Sequence, residues 1–132
     1  MKKLVLIFGL VIASFFVSCK DTSQSKEVQV ISPQEVRDAV YDDNSHQLID
    51  VRTVDEFKEG HLKNAQNICV TDGDFEENVA KLDKDQPVYL YCRSGKRSAK
   101  AAEILKDLGF KEIYDMDGGI LNWKSENLEI EN

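Results

Sequence analysis

A cysteine followed closely by three cations is the part of this sequence best suited to chemistry. Cys92 directly follows the apolar run "VYLY", and Arg93, Lys96 and Arg97 come within the next five residues of a chain whose formal charge is -7. A thiolate is the nucleophilic form of cysteine, and neighbouring positive charge stabilises it. The sequence therefore predicts a reactive cysteine in a locally basic site that attracts anions.

The residues on either side of Cys92 predict the backbone that positions it. Residues 88–91 have the pattern of a buried strand, and residues 97–110 that of an amphipathic helix ending at Gly109. The N–H groups of a tight loop between a strand and a helix converge on one spot and favour negative charge there. Gly95 supplies the backbone freedom that such a loop requires. The alternative, a small buried cysteine, leaves the three cations unexplained.

Strand-like and helix-like segments alternate over the rest of the chain. After the alternating run Glu27–Ile31, a helix start is marked by Ser32 as N-cap, Pro33 in the first turn and Glu35 closing a capping box. Four further strand-like runs follow, separated by helical segments: "HQLIDVR", "AQNICV", "PVYLY" and "KEIYDMDGG". Strands separated by helices pair in parallel, so the sequence predicts a single-domain α/β fold.

The start of the chain has the pattern of a bacterial export signal. Lys2 and Lys3 precede an apolar run from Leu4 to Val17, which is short for a bilayer span but suits the apolar region of a signal peptide. The end of this segment, "FVSC", resembles the lipobox of bacterial lipoproteins, which are cut before the cysteine and acylated on it. Residues 1–18 are therefore predicted to be a signal peptide, and Cys19 a lipidation site.

This pattern also predicts where the mature protein resides. Residues 19–27 would be the lipidated cysteine and a flexible tether, because "KDTSQSK" lacks large apolar side chains, and residues 28–132 the folded domain. The expected location is the bacterial cell envelope, with Cys19 anchored in a membrane and the domain facing the periplasm or the exterior. A soluble exported protein is the alternative. The acidic overall charge argues against nucleic acid as a partner.

The loop "CRSGKRS" resembles the active-site loop of rhodanese-type sulfurtransferases, and two other segments resemble this family in the same order. "LIDVRTVDEFKEGHLKNAQNI" is similar to its first signature, and "YDMDGGILNW" to its closing Gly-Gly-x-x-x-Trp motif. The resemblance extends from about Ile31 to Leu128, with Asn64 standing where many members have glycine. It implies a sheet of about five parallel strands, flanked by helices on both faces.

The resemblance also implies a reaction. Family members take a sulfane sulfur from an anionic donor such as thiosulfate, hold it as a cysteine persulfide and pass it to a thiophilic acceptor such as cyanide or a thiol. No metal or organic cofactor is implied, and a protein partner stays open. By matching position, Cys92 would carry the sulfur in a loop formed by Arg93, Ser94, Gly95, Lys96 and Arg97. Structural support would come from Asp50, Arg52, Glu56 and His61.

Three other functions remain open. Phosphatases and arsenate reductases use a related loop with arginine six residues after the cysteine, whereas position 98 is serine here and Arg97 falls one residue early. A binding module or sulfur carrier without turnover is the second; binding modules often lack the cysteine, but carriers keep it. A thioredoxin-like oxidoreductase is the third, and Cys92 has no partner in a Cys-x-x-Cys pair.

Cys69 raises a separate question, because it follows a predicted strand whose end would lie at the same rim as Cys92. Outside the cytoplasm thiols tend to be oxidised. One hypothesis is that Cys69 pairs with Cys92 or resolves its persulfide. The other is that Cys69 is a buried strand residue.

Overall fold

The computed structural model describes residues 27–41 and 46–132. The predicted signal peptide, Cys19 and the tether through Lys26 lie outside these described residues. Within them, strands and helices alternate in the order β1 (Val28–Ile31), α1 (Pro33–Tyr41), β2 (Gln47–Asp50), α2 (Val54–Lys58), β3 (Gln66–Asn67), α3 (Phe75–Val79), β4 (Val88–Tyr91), α4 (Lys96–Asp107), β5 (Ile113–Met116) and α5 (Gly119–Ser125). No helix in the described ranges combines the length and the apolar character needed to cross a membrane.

The strands form one five-stranded sheet in which every pairing is parallel. Their order is β1-β5-β4-β2-β3, so β4 lies at the centre with β5 on one side and β2 on the other. All four residues of β4 are buried. A parallel strand covered on both faces is expected to be apolar throughout, which accounts for the run "VYLY". The predicted parallel α/β fold is confirmed.

Helices cover both faces of the sheet, and β4 supplies side chains to each. Val88, Leu90 and Cys92 belong to the core cluster that includes α3 and α4, whereas Tyr89 and Tyr91 belong to the cluster that includes α1 and α5. Successive side chains along a strand point to opposite faces. Cys92 thus continues the alternation of β4 onto the face covered by α4.

Both predicted helix ends are confirmed. At the start of α1, the Glu35 amide donates to Ser32 Oγ at 3.3 Å and the Ser32 amide donates to Glu35 Oε2 at 2.8 Å, which forms the capping box. At the end of α4, Gly109 has a φ of 95°, in the left-handed region that favours glycine. The start of α4 is Lys96, one residue earlier than predicted.

β3 is shorter than the run "AQNICV" predicts, since only Gln66–Asn67 joins the ladder. Beyond it, the Ile68 amide donates to the Asp50 carbonyl and the Val70 amide to the Val51 carbonyl, each at 3.0 Å. In a regular parallel ladder, alternate residues of one strand bond to alternate residues of the other. Bonding to consecutive carbonyls breaks that register, so the strand ends although the chain still follows β2.

Candidate active site

The sulfur of Cys92 lies among converging hydrogen-bond donors. The Gly95 amide nitrogen donates to Cys92 Sγ at 3.0 Å, and Ser94 and Ser98 also favour the negatively charged form of the sulfur. Gly95 has a φ of 104°, a conformation that L side chains disfavour. This residue turns the chain from β4 into α4, so that the donors face the sulfur.

These donors make the thiol more acidic. Burial by itself raises the pKa of the Cys92 thiol, but hydrogen bonding by Ser98, Gly95 and Ser94 lowers the pKa below its ordinary value. The sequence predicts a lowered pKa for this thiol and attributes the lowering to the amide dipoles and to the three cations. In the structure the lowering comes from hydrogen bonding by Ser98, Gly95 and Ser94, and Arg97 also has a charge interaction with the sulfur.

Ser98 is the contributor to this site that sequence reasoning missed. It is fully buried in the first turn of α4, on the same face as Ala101, Ala102 and Leu105. Positions three, four and seven residues apart form one side of a helix. A serine in such an apolar series was the available signal, because a buried hydroxyl needs a hydrogen-bond partner. Here the hydroxyl donates to the Gly95 carbonyl, which is 3.2 Å away.

The three cations occupy different positions around the sulfur. Arg93 and Lys96 are exposed, whereas Arg97 forms a bidentate pair with Glu56 of α2, with both N–O distances at 2.7 Å. Glu56 is in turn held by the capping box with Thr53 at the start of α2. The Arg97–Glu56 pair therefore connects the first turn of α4 to α2. Of the three cations, Arg93 and Lys96 are the ones whose exposed side chains can attract an anion.

A buried ion pair lies at the end of β2, next to β4. Asp50 is fully buried and Arg52 is 5% exposed, and Arg52 Nη2 is 2.6 Å from Asp50 Oδ2. The same Nη2 donates to the Gly60 carbonyl at 2.7 Å. The pair thus connects the end of β2 to the turn that follows α2, and it leaves both charges with hydrogen-bond partners, as a buried pair requires.

The start of α5 holds the other side of the cysteine loop. The Ile120 amide donates to the Cys92 carbonyl at 2.9 Å, and the Leu121 amide donates to the Arg93 carbonyl at 3.1 Å. Gly119 packs so closely against this loop that a Cβ on it would lie 2.5 Å from backbone atoms of Cys92 and Arg93. Because Gly119 has no side chain, the start of α5 can approach the backbone of the cysteine loop this closely.

His61 lies in the turn after α2 and is fixed by backbone contacts. Its Nδ1 is 3.0 Å from the Phe57 carbonyl, and its ring stacks on the Phe57 ring with 3.9 Å between centroids. Its own backbone exchanges two hydrogen bonds with Glu131 near the end of the chain. In the described ranges, no group of three or more histidine, cysteine, aspartate or glutamate side chains is placed to hold a metal ion.

Cys69 and Cys92 are both free thiols in the structure. Cys69 is 5% exposed, its Sγ is 3.1 Å from Thr71 Oγ1, and it lines a cavity of about 440 Å³ beside β3. Arg97 interacts electrostatically with both sulfurs. The structure therefore shows Cys69 as a buried thiol in its own surroundings, within the electrostatic reach of the same arginine.

Comparison with known families identifies the domain. A model of the rhodanese-like domain matches residues 32–126, which include the Cys92 loop, the Arg97–Glu56 pair and the close approach of Gly119. The chain belongs to the rhodanese-like domain family. The resemblance carried by the sequence motifs is thereby confirmed.

Several known proteins are similar to this rhodanese-like domain. The Bacillus subtilis protein YqhL, which is described as uncharacterized, is 44% identical over 77 residues, and this match covers 58% of the chain and 60% of YqhL. The thiosulfate sulfurtransferase GlpE of Coxiella burnetii is 36% identical over 80 residues, 61% of the chain and 73% of GlpE. The crystal structure of a rhodanese-like domain protein from Staphylococcus aureus is 30% identical, covers 79% of the chain and 99% of that protein, and superposes with a TM-score of 0.66.

Replacing Glu56 with glutamine is expected to weaken this rhodanese-like domain in a pH-dependent way. The Arg97 hydrogen bond lowers the pKa of Glu56 from 4.5 to about 2, against the opposing effect of burial. Because the folded-state pKa is depressed, the stability contributed by the pair is complete above about pH 4.5 and is lost as the pH falls through about 2. For a bidentate pair that is partly exposed, we expect a loss of about 1 kcal/mol at neutral pH.

Chemical unfolding at neutral pH and at about pH 2 measures this difference. Glu59→Gln is the matched control, because Glu59 is an exposed glutamate next to the same helix and takes part in none of the ion pairs of the described ranges. A Glu56→Gln deficit that is the same size at both pH values would show that the ion pair is not its source.

Proposed function

We propose that this rhodanese-like domain is a sulfurtransferase that carries sulfane sulfur on Cys92. The donor would be a small anion of the thiosulfate type, and the acceptor would be cyanide or a thiol. The observation that carries the proposal is the loop around the Cys92 sulfur, in which the Gly95 amide donates to Sγ at 3.0 Å and Ser94 and Ser98 also favour the charged sulfur. Such a site favours a negatively charged sulfur, and both the thiolate and a persulfide are of that kind.

Two displacements would complete the reaction. In the first, the Cys92 thiolate attacks the outer sulfur of thiosulfate, an S–S bond forms to Cys92, and the S–S bond of the donor breaks with its electron pair leaving on sulfite. In the second, cyanide attacks the outer sulfur of the persulfide, thiocyanate leaves, and the Cys92 thiolate is regenerated. A covalent intermediate divides one transfer into two steps. No proton, metal or external oxidant is needed to balance either step.

The charges around the loop suit this class of donor. The protein is acidic overall, so an anion is repelled by most of the surface and attracted only where cations are uncompensated. Arg93 and Lys96 are exposed in the loop that follows Cys92 and are absent from the ion pairs of the described ranges. The similarity to a protein named thiosulfate sulfurtransferase supports the same choice of donor.

We further propose that the protein is exported and held in a bacterial cell envelope by acyl chains on Cys19, with the domain at residues 28–132 facing the periplasm or the exterior. The support is the apolar run and the "FVSC" sequence at its end. An intact mass of the protein from its native membranes is expected to show a chain starting at an acylated Cys19. Recovery of an unprocessed chain in the soluble fraction would contradict the anchor.

The test of sulfur transfer is the mass of the purified, reduced protein after incubation with thiosulfate, and again after addition of cyanide. The expected result is a gain of one sulfur atom, located on the Cys92 peptide, that disappears as thiocyanate appears. A protein that gains the sulfur but does not release it to cyanide or to a small thiol is a carrier that depends on a specific partner. A folded protein that gains no sulfur refutes the proposed reaction.

A further inference from the structure

Two exposed apolar side chains stand beside the cysteine loop, and the two displacements use neither of them. Among the described residues, the large apolar side chains that are exposed are Val30 at 64%, Val54 at 49% and Leu121 at 45%. Val54 and Leu121 lie at the starts of α2 and α5, whereas Val30 lies on β1, an edge strand two strands away from β4. A single exposed apolar side chain is ordinary, but two that flank one reactive group form a candidate contact surface.

Backbone and ion-pair contacts place these two side chains at opposite ends of the loop. The Leu121 amide donates to the carbonyl of Arg93, the first residue after the nucleophile, at 3.1 Å. Val54 is the first residue of α2, and Glu56 in the same turn pairs with Arg97 at 2.7 Å. One apolar side chain is therefore held next to the beginning of the loop, and the other next to its end.

The loop between them supplies positive charge. Arg93 and Lys96 are exposed, and neither takes part in the ion pairs of the described ranges. The whole chain has a formal charge of -7, so this local charge is opposite in sign to that of the protein. The active-site rim is thus both apolar and basic, and it consists of Val54, Leu121, Arg93 and Lys96.

The depth of the nucleophile decides what can cover this rim. Cys92 is 1% exposed, and a persulfide extends its side chain by only one S–S bond, about 2 Å. An acceptor must bring its own sulfur down to the loop, so the groups on either side of that sulfur lie over the rim. Cyanide or a small thiol would leave both apolar side chains in water. A cysteine within a polypeptide would bury them and gain the free energy of that burial.

We propose that the active-site rim is a docking surface for an acidic segment of a partner protein, in which apolar residues flank a cysteine. That this cysteine is the sulfur acceptor rests on the proposed function, whereas the docking itself does not. Charge complementarity favours such a segment, because the acidic body repels a partner everywhere except at the basic rim and so orients it. An anionic membrane is disfavoured by the same charge, since an extended surface would face the acidic body as well.

The test uses three short peptides blocked at both ends, each with its cysteine in a disulfide to 5-thio-2-nitrobenzoate. Their sequences are Leu-Glu-Cys-Glu-Leu, Leu-Gln-Cys-Gln-Leu and Ser-Glu-Cys-Glu-Ser. The Cys92 thiolate attacks the peptide sulfur, a new S–S bond forms, and the old one breaks with its electron pair leaving on the coloured thionitrobenzoate. The second-order rate is measured on the full chain, and the mass of the Cys92 peptide verifies the site. Dividing by the rate with the corresponding mercaptoethanol disulfide cancels differences in thiol reactivity.

The first peptide is expected to react about fivefold faster than the glutamine peptide at low ionic strength, and this advantage should fall as salt is added. Val54→Ser and Leu121→Ser are each expected to slow the first peptide about fivefold, the effect of burying the exposed half of such a side chain. The serine-flanked peptide should be unaffected by either substitution. Val30→Ser is the matched control, because it makes the same change to an exposed valine away from the rim, and its rates should equal the wild type.

Equal rates for the glutamate and glutamine peptides, or rim variants that behave like Val30→Ser, would overturn the docking surface. So would vesicles of phosphatidylglycerol that shield Cys92 where the peptides show no preference, since they would assign the rim to lipid. The acceptor role is tested with the same peptides as free thiols on thiosulfate-treated protein, and the first is expected to remove the sulfur fastest per thiolate. If thiosulfate leaves no sulfur on Cys92, the proposed function fails while the disulfide rates still decide the docking.

Discussion

Replacing Cys92 with serine is expected to reduce sulfur transfer from thiosulfate to cyanide by roughly four orders of magnitude or more, as the loss of a covalent nucleophile does in other enzymes. The serine hydroxyl stays protonated at neutral pH, and it cannot form the persulfide on which both displacements depend. The substitution changes one atom of a side chain that is 1% exposed. The fold should therefore persist, and the loss should be one of chemistry.

The measurement is thiocyanate formation by wild type and variant, with thermal unfolding to verify that both are folded. Cys69→Ser is the matched control, because Cys69 is also a buried free thiol and undergoes the same atomic change. It is expected to keep its activity. Turnover that survives in Cys92→Ser, or that disappears in Cys69→Ser with the fold intact, would show that Cys92 is not the nucleophile.

Gly119→Ala is expected to destabilise the folded protein by about 3 kcal/mol or more, through strain and overpacking acting together. The added Cβ would lie 2.5 Å from the carbonyl carbon and oxygen of Arg93 and from the carbonyl oxygen of Cys92. These are backbone atoms, so no side chain can rotate away to relieve the contact. Gly119 also has a φ of 60°, which adds strain for any L side chain.

The same substitution is expected to lower activity in the molecules that do fold, because the clash pushes on the loop that holds the nucleophile. Thermal and chemical unfolding measure the first effect, and thiocyanate formation per folded molecule measures the second. Gly73→Ala is the control: a Cβ at Gly73 meets nothing within 4 Å, so its stability should match the wild type. Equal unfolding transitions for Gly119→Ala and Gly73→Ala would mean that α5 can shift away from the loop without lowering the free energy of unfolding.

The fold was predictable because its signals are local and repeat along the chain. The alternation of apolar runs with capped, amphipathic segments specifies parallel strands linked by helices, and the Ser32–Glu35 capping box lies where the sequence places it. The length of β3 was not predictable in this way. Its end depends on which carbonyls of β2 the chain meets, which is a property of the assembled sheet.

The candidate site was predictable where it is contiguous in sequence and less so where it is assembled from distant segments. The run from Cys92 to Arg97 shows the nucleophile, the turn glycine and the cations together. The sequence does not show which of these cations stays free to attract an anion. That depends on the pairing of Arg97 with Glu56, which joins residues 41 positions apart.

The hydrogen bonds from α5 to the carbonyls of Cys92 and Arg93 have a consequence for the energetics of the reaction. Because those two C=O groups are already bonded to the Ile120 and Leu121 amides, their peptide groups cannot flip toward the sulfur when charge develops there. The dipoles around the nucleophile are set when the protein folds and need little reorganisation during either displacement. Local opening of the C-terminal helix would release them, so the reactivity of a cysteine at position 92 is coupled to the local stability of a segment that follows it by nearly thirty residues.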